Sequence, residues 1–126
     1  MLVERFEAVR TSVPLVHNIT NYVTVNDCAN IVLACGASPI MSDDQSEVEE
    51  ITTICGGLNI NIGTLNKRTI ESMFLAGKRA NALSHPVVQV KGSKLEHFLS
   101  ARLHELPCFF LNDCIIRFFS ASARGK

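Results

Sequence analysis

Residues 13–41 read as a strand, a polar turn, a helix and a second strand, and this unit constrains the fold more than any other segment. The apolar run over residues 14–19 predicts a buried strand. An asparagine-rich turn follows, and a helix is predicted over residues 24–35, with Gly36 as its end. A short strand is predicted over residues 38–41. The turn therefore falls at the carboxyl end of a strand, where open α/β sheets bind small ligands.

The alternation of strand and helix continues along the chain. Helices are predicted over residues 2–9, 46–55 and 66–83, and strands over residues 58–62 and 86–90. The strands are too uniformly apolar for a sheet with one face in water, so we expect helices on both faces. The sequence therefore predicts an α/β fold with a parallel sheet, in which all carboxyl ends of the strands lie at one edge.

Two helix starts carry capping signals. Ser46 stands three residues before Glu49, which is the spacing of a capping box, and Asn66 is placed to cap the long helix. The predicted buried stripe of that long helix consists of Ile70, Met73, Phe74, Gly77 and Ala80.

Composition excludes several classes of function. The formal net charge is zero, so charge alone gives no attraction to nucleic acid or membranes. The five cysteines form no C-x-x-C pair, which indicates a reducing, cytoplasmic location. We expect no signal peptide and no transmembrane segment. His97 and His104 have no acid or cysteine in ligand register, so no metal site is predicted, and neither common phosphate-loop motif occurs.

The polar residues at the strand ends have two interpretations. The amides of Asn18 and Asn21 offer a donor and an acceptor each to a small heteroaromatic ligand or a hydroxyl, or they only cap the following helix. Met41 packs its sulfur against an aromatic ligand, or it fills a gap in the core. Gly63 permits close approach of the backbone to a ligand, or it belongs to an ordinary turn. The residues alone leave both interpretations open.

Four stretches resemble the hydroxyethylthiazole kinase family, a group of thiamine-salvage enzymes in the ribokinase-like superfamily. They read PLVHNITNYVTVNDCAN, LACGASPIMSDD, LNINIGTL, and AGKRANAL followed by HPVV, and together they cover about residues 13–88. The resemblance implies a three-layer α/β/α fold. It also implies a transferase that moves the γ-phosphate of ATP, with Mg²⁺, to the primary hydroxyl of hydroxyethylthiazole. A homotrimer with the thiazole site at its subunit interfaces is implied as well.

The resemblance also assigns site residues by position. Asn21, Val23 and Met41 would line the thiazole pocket. Gly63 and Thr64 would lie at the same edge of the sheet, nearer the nucleotide.

The chain departs from the family pattern after the fourth strand. The family continues that strand as LDPVGAG, whose aspartate helps to organise Mg²⁺ and phosphates, whereas this chain reads QVKGSK with Val90 at the aspartate position. We expect residues 1–90 to be an incomplete ribokinase-like domain and residues 91–126 a divergent tail, from a frameshift or a truncation. The apolar run over residues 108–119 fits either a buried strand or an exposed segment.

The departure also sets expectations for activity. No catalytic residue, Mg²⁺ ligand or ATP-binding residue is assigned, and neither Cys108 nor Cys114 is taken as a catalytic base. The chain alone is expected to lack kinase activity. The alternative is a non-catalytic fragment that binds the thiazole or oligomerises. In either case the expected partner is a small molecule, and neither nucleic acid nor a membrane is expected to bind.

Overall fold

A five-stranded parallel sheet organises the protein. The computed structural model describes residues 2–85, 87–90 and 109–110. In chain order the elements are α1 (Leu2–Ser12), β1 (Leu15–Ile19), α2 (Val25–Ala34), β2 (Ser38–Met41), α3 (Val48–Ile54), β3 (Gly57–Asn61), α4 (Lys67–Ala82), β4 (Val87–Val90) and β5 (Phe109–Phe110). No helix within the described residues is both long and apolar enough to cross a membrane.

The predicted parallel sheet is confirmed. The strands lie in the order β2-β1-β3-β4-β5, and each neighbouring pair is parallel. From β1 the chain first moves outward to β2 and then returns across β1 to β3. Parallel sheets bind ligands beyond the carboxyl ends of the strands, at the point where the order reverses in this way. The sheet therefore directs attention to the ends of β1, β2 and β3.

Helices cover both faces of the sheet, as the uniform apolarity of the strands predicts. On one face, Ile19, Leu58 and Ile60 pack against α4 through residues such as Met73 and Ala76. The smaller core on the other face consists of Val9, Val16 and Ala37, with Phe6, Val32 and Cys35 packed against them. The observed layers are thus helix, sheet and helix.

The helix stripes agree with the sequence pattern only in part. In α4, Met73, Gly77 and Ala80 are buried as predicted, together with Thr69, Ser72 and Ala76. Helix α2 contains no fully buried residue, and its apolar side chains Ile31 and Leu33 are more than half exposed. The apolar surface of α2 therefore remains largely open within the described part of the chain.

Two local features differ from the sequence expectations or add to them. The predicted capping box of α3 is wrong: the helix begins at Val48, after Glu47. Both the backbone N–H and the hydroxyl of Ser46 donate instead to Asp44 Oδ1, at 2.9 and 2.6 Å. The Ser46 hydroxyl is therefore engaged by Asp44, two residues upstream, and does not cap α3. In addition, Phe109 and Phe110 form a fifth strand beside β4, within the apolar run for which a strand was one of two interpretations.

Three of the described helices are followed by a residue in the left-handed backbone region, but only one of these residues is glycine. Gly36 follows α2 with φ 89°, whereas Val13 after α1 has φ 43° and Ser84 after α4 has φ 55°. A side chain at Gly36 would also collide with Arg10 of α1, whose Cα lies 3.1 Å from the position of the added Cβ. Gly36 is therefore required both for its backbone conformation and for the packing of α1 on α2.

We expect opposite effects on stability from Gly36→Ala and Ser84→Gly. The left-handed conformation costs a residue with a Cβ roughly 1–2 kcal/mol. Gly36→Ala should therefore lower the free energy of unfolding by at least about 2 kcal/mol, since the contact with Arg10 adds to that cost. Ser84→Gly should raise it by up to about 1 kcal/mol, after the greater freedom of glycine in the unfolded chain is subtracted. Urea denaturation followed by circular dichroism measures both, and equal signs would contradict the argument.

Candidate functional site

An open pocket of about 60 Å³ lies at the carboxyl ends of β1 and β2. It is lined by Asn18, Thr20, Tyr22, Val25, Met41, Ser42 and Asp43. Pockets that bury most of a drug-sized ligand usually measure about 300–1,000 Å³. The cavity formed by the described residues is therefore too small and too open to enclose such a ligand.

The three residues assigned to the thiazole pocket lie in or beside this cavity. Met41 is in its lining, at the end of β2. Asn21 and Val23 belong to the segment between β1 and α2, next to the lining residues. The side-chain oxygen of Asn21 accepts hydrogen bonds from the N–H and the hydroxyl of Thr24, both at 3.1 Å. Val23 is 90% exposed, so on this chain alone it contacts little.

Gly63 and Thr64 lie in the turn that leads from β3 to α4. The N–H of Gly63 donates to Asn61 Oδ1 at 2.9 Å, and Thr64 is exposed. Asn66 caps α4 as predicted, with the N–H of Thr69 donating to its side chain at 3.0 Å. These contacts build a capped strand-to-helix turn at the same edge of the sheet as the pocket.

A buried network around Asn61 connects β3 to the segment that carries Asn21 and Val23. The amide nitrogen of Asn61 donates to Thr20 Oγ1 at 3.1 Å and to Thr24 Oγ1 at 3.2 Å. The hydroxyls of Thr20 and Thr24 are 2.9 Å apart. Since the Thr24 hydroxyl donates to Asn21, the Thr20 hydroxyl is the donor between the two threonines. The network holds the end of β1 and the start of α2 in one arrangement.

A second amide pair bridges β1 and β3. Asn18 is buried and donates to the carbonyl of Val16 at 2.9 Å, and its own side-chain oxygen accepts from Asn59 at 3.0 Å. The side-chain oxygen of Asn59 is buried and has no hydrogen-bond partner among the described residues. Asn18 therefore ties β1 to β3 instead of capping α2, and because it also lines the pocket, its contact with a ligand stays a prediction.

His17 is a fully buried structural residue rather than a ligand group. Its Nε2 lies 2.9 Å from the carbonyl of Ser42, which can only accept, so Nε2 carries the proton. In the neutral ring Nδ1 then accepts from the hydroxyl of Thr52 at 2.9 Å. That hydroxyl also lies 2.6 Å from the Val48 carbonyl, so one proton serves two acceptors. Burial lowers the pKa of His17, against the opposing effects of the Ser42 carbonyl and of Glu47.

A charged cluster, whose members no sequence pattern connects, borders the pocket through the lining residues Tyr22 and Asp43. Arg68, from the first turn of α4, donates through Nη2 to the hydroxyl of Tyr22 at 2.8 Å and to Asp43 Oδ2 at 2.9 Å. The Tyr22 hydroxyl also lies 3.4 Å from Asp43 Oδ2. Three segments that are far apart in the chain thus meet at the pocket wall. The only signal in the sequence is their common position at the carboxyl edge of the sheet.

The described residues do not fit a magnesium site. They contain no group of three or more His, Cys, Asp or Glu side chains that could hold a metal ion. At the end of β4, in register with Asn61, stands Val90, which has no oxygen to offer a hard cation. Cys28, Cys35 and Cys55 are free thiols, and burial raises the pKa of Cys55 to about 11, so it is not a reactive thiolate. His97, His104, Cys108 and Cys114 lie outside the described residues.

The parallel sheet, the two helical layers and a small pocket at the carboxyl edge define a three-layer α/β/α protein of the ribokinase-like type. The sequence model of the Hydroxyethylthiazole kinase family matches residues 6–90. The chain therefore belongs to the hydroxyethylthiazole kinase family, as the sequence resemblance predicted.

Individual relatives agree with this assignment. The hydroxyethylthiazole kinase of Clostridium acetobutylicum is 68% identical over 109 residues, which cover 83% of this chain and 40% of that protein. Its match must reach past residue 90, since 83% of 126 residues is about 105. The hydroxyethylthiazole kinase of Clostridium beijerinckii is 70% identical over 80 residues, or 64% of this chain and 29% of that protein. The chain thus spans 40% or less of the length of these relatives.

A solved structure supports the same fold. The hydroxyethylthiazole kinase protein from Pyrococcus horikoshii OT3 superposes with a TM-score of 0.79 and 34% sequence identity. The match covers 93% of this chain and 49% of that one.

The buried His17 should make stability depend on pH. The pKa of His17 is lower in the folded chain than its usual value of about 6.5. Below about pH 6.5, His17 therefore binds a proton in the unfolded chain more readily than in the folded chain. The contribution of His17 is therefore full above about pH 6.5 and is lost as the pH falls towards its folded pKa. We expect the free energy of unfolding, measured by urea titration, to decrease from about pH 7.5 to about pH 5.5. His17→Gln should flatten that decrease, and a wild-type stability that is constant or rises over this range would contradict the assignment.

Proposed function

We propose that this chain recognises hydroxyethylthiazole, and that it does so as part of the family activity: ATP-dependent phosphorylation of the primary hydroxyl of 5-(2-hydroxyethyl)-4-methylthiazole in thiamine biosynthesis or salvage. Family membership over residues 6–90 is the observation that carries the proposal. The pocket at the ends of β1 and β2 supports it, because a small neutral heteroaromatic ring suits a wall that combines apolar and amide groups.

Recognition is proposed to involve Asn21, Val23 and Met41. The sulfur-bearing side chain of Met41 belongs to the pocket lining, where a polarizable thioether can pack on the face or edge of the thiazole ring. Asn21 and Val23 are held beside the pocket by the network of Thr20, Thr24 and Asn61. Gly63 and Thr64 are proposed to lie at the edge of the active site, on the side of the nucleotide.

A homotrimer with shared sites is proposed as the assembly. The pocket on one chain is small and open, and the neighbouring Val23 is 90% exposed. The apolar helix α2 keeps two large side chains, Ile31 and Leu33, exposed within the described residues. A second chain packed on this surface would cover apolar area and supply the missing wall of the pocket. A reducing cytoplasm is the proposed location, in keeping with the free thiols.

ATP and Mg²⁺ are the cofactors that the family implies, but the described residues do not provide a site for them, and no step of the transfer is assigned to these residues. A second candidate function follows from the same observation. Val90 at the end of β4 favours a non-catalytic fragment that binds the thiazole or assembles with another chain. Binding and turnover therefore have to be measured separately.

Met41→Ala should weaken binding of hydroxyethylthiazole by about tenfold, because the loss of several buried methylene-sized contacts costs roughly 1–2 kcal/mol. Isothermal titration calorimetry on the purified chain measures the dissociation constant. Ile54→Ala is the matched control, since it removes an exposed apolar side chain from α3. Absence of binding to the wild-type chain at millimolar ligand, with a folded circular dichroism spectrum, would reject the proposed recognition.

The chain alone should not turn over hydroxyethylthiazole. Phosphoryl transfer depends on metal and dipole stabilisation of the transferring group, and Val90 has no oxygen ligand for the metal. A coupled ADP-release assay with ATP, magnesium and the thiazole tests this. Thiazole-dependent turnover that persists after removal of host kinases would contradict the expectation and support the complete activity on this chain.

A further inference from the structure

We propose that Arg68 is a positioning residue of the pocket: by binding the hydroxyl of Tyr22 and the carboxylate of Asp43 together, it holds the Tyr22 ring in place as one wall. The inference rests on the proposed function, because it concerns how ready the same pocket is to receive the thiazole. Nothing in the family resemblance assigned a role to Arg68 or Tyr22.

The ring of Tyr22 needs an anchor outside its own segment. Tyr22 lines the pocket but is 74% exposed, and Val23 beside it is 90% exposed. The hydrogen bonds between Asn21 and Thr24 fix the backbone of this turn, but they do not restrain the direction of the Tyr22 ring. An exposed side chain changes its rotamer within picoseconds to nanoseconds. A fixed position of the ring therefore depends on the contacts of its hydroxyl.

Arg68 supplies the shorter of the two contacts of that hydroxyl. Its Nη2 donates to the Tyr22 hydroxyl at 2.8 Å and to Asp43 Oδ2 at 2.9 Å, so one nitrogen serves both acceptors. The direct contact between the hydroxyl and Asp43 Oδ2 measures 3.4 Å, which is long for an O–H···O hydrogen bond of usually about 2.5–3.0 Å. Tyr22 is therefore joined to Asp43 mainly through the guanidinium.

Arg68 and Asp43 are themselves held by packed elements. Arg68 stands in the first turn of α4, whose start is capped by the side chain of Asn66. The hydroxyl of Ser72, a buried residue of the same helix, donates to the carbonyl of Asp43 at 2.7 Å. The ring of Tyr22 is thus fastened, through Arg68, to the helix that packs on the core of the sheet.

A wall that is in place before the ligand arrives favours binding. Ordering a free side chain during binding lowers the affinity, so a ring that Arg68 holds in advance gives the higher affinity. The Arg68 and Asp43 side chains are 52% and 22% exposed, so their ion pair contributes little to the stability of the fold. Loss of Arg68 should therefore weaken ligand binding by about fivefold and leave the free energy of unfolding nearly unchanged.

The first test reads the motion of the ring directly. The chain has one tyrosine and no tryptophan, so its fluorescence comes from Tyr22. In the ligand-free full chain, Arg68→Gln should enlarge the fast component of the anisotropy decay, because the ring is released. Arg68→Lys should restore part of the wild-type decay, since an ammonium can donate to both acceptors from one nitrogen. Arg79→Gln is the matched control, because Arg79 lies on the same helix and contacts Thr53, outside the pocket lining.

The second test measures affinity by calorimetric titration of the same variants with hydroxyethylthiazole. The dissociation constant should rise about fivefold in Arg68→Gln, less in Arg68→Lys, and not at all in Arg79→Gln. Tyr22→Phe removes the hydroxyl but keeps the ring, so adding Arg68→Gln to it should cause a much smaller further loss than in the wild-type chain. A merely structural role of Arg68 would lower the free energy of unfolding and leave the anisotropy of Tyr22 unaltered.

Each outcome decides a separate point. An anisotropy decay that is the same in the wild-type chain and in Arg68→Gln overturns the inference, whether or not the thiazole binds. A released ring with an unchanged dissociation constant, or an equal loss of affinity in the wild-type and Tyr22→Phe backgrounds, overturns the positioning role while the proposed function stands. A wild-type chain that binds no thiazole rejects the proposed function, and the anisotropy then still decides whether Arg68 holds Tyr22.

Discussion

The hydrogen bonds of Asn61 are the interaction on which the arrangement of the site depends. Its amide joins the end of β3 to Thr20 after β1 and to Thr24 before α2, and its oxygen accepts from Gly63. A buried amide left without partners costs free energy, so this side chain is stable only while all these segments keep their places. One residue therefore couples the register of the two central strands to the conformation of the segment that carries Asn21 and Val23.

This network also explains where the pocket lies. In an open parallel sheet the strand order reverses between β1 and β3, which is the usual place for a ligand crevice. Here Asn18, Asn59 and Asn61 fill that space with side-chain hydrogen bonds. The opening lies beside it, over the ends of β1 and β2, with Met41 and Asp43 in its wall. A ligand in the proposed pocket would thus meet a surface that the amide network behind it keeps rigid.

Local signals predicted most of the fold, and contacts between distant segments account for what they missed. The alternation of strands and helices and the cap at Asn66 depend on residues close together in the chain, so the order of elements could be predicted from the sequence. The start of α3 could not be predicted in this way, because the Ser46 hydroxyl donates to Asp44 instead of capping the helix. Among the site residues, Met41 was assigned by the family resemblance, since its place at a strand end alone left a core role open. Arg68 and Tyr22 were not, since 46 positions separate them and no periodicity links them.

The exposed apolar surface beside the pocket gives the proposed recognition and assembly a common physical cause. Tyr22 and Val23, which are 74% and 90% exposed, precede α2, on which Ile31 and Leu33 are exposed as well. Exposure of these apolar side chains to water is unfavourable, and burying them against a second apolar surface stabilises the complex by about 25 cal/mol per Å² of apolar area. A chain that covers Val23 necessarily approaches the mouth of the pocket, because Tyr22 is part of its lining. The surface proposed to drive association and the surface that would enclose the ligand are therefore continuous, and ligand affinity should increase if the chain assembles.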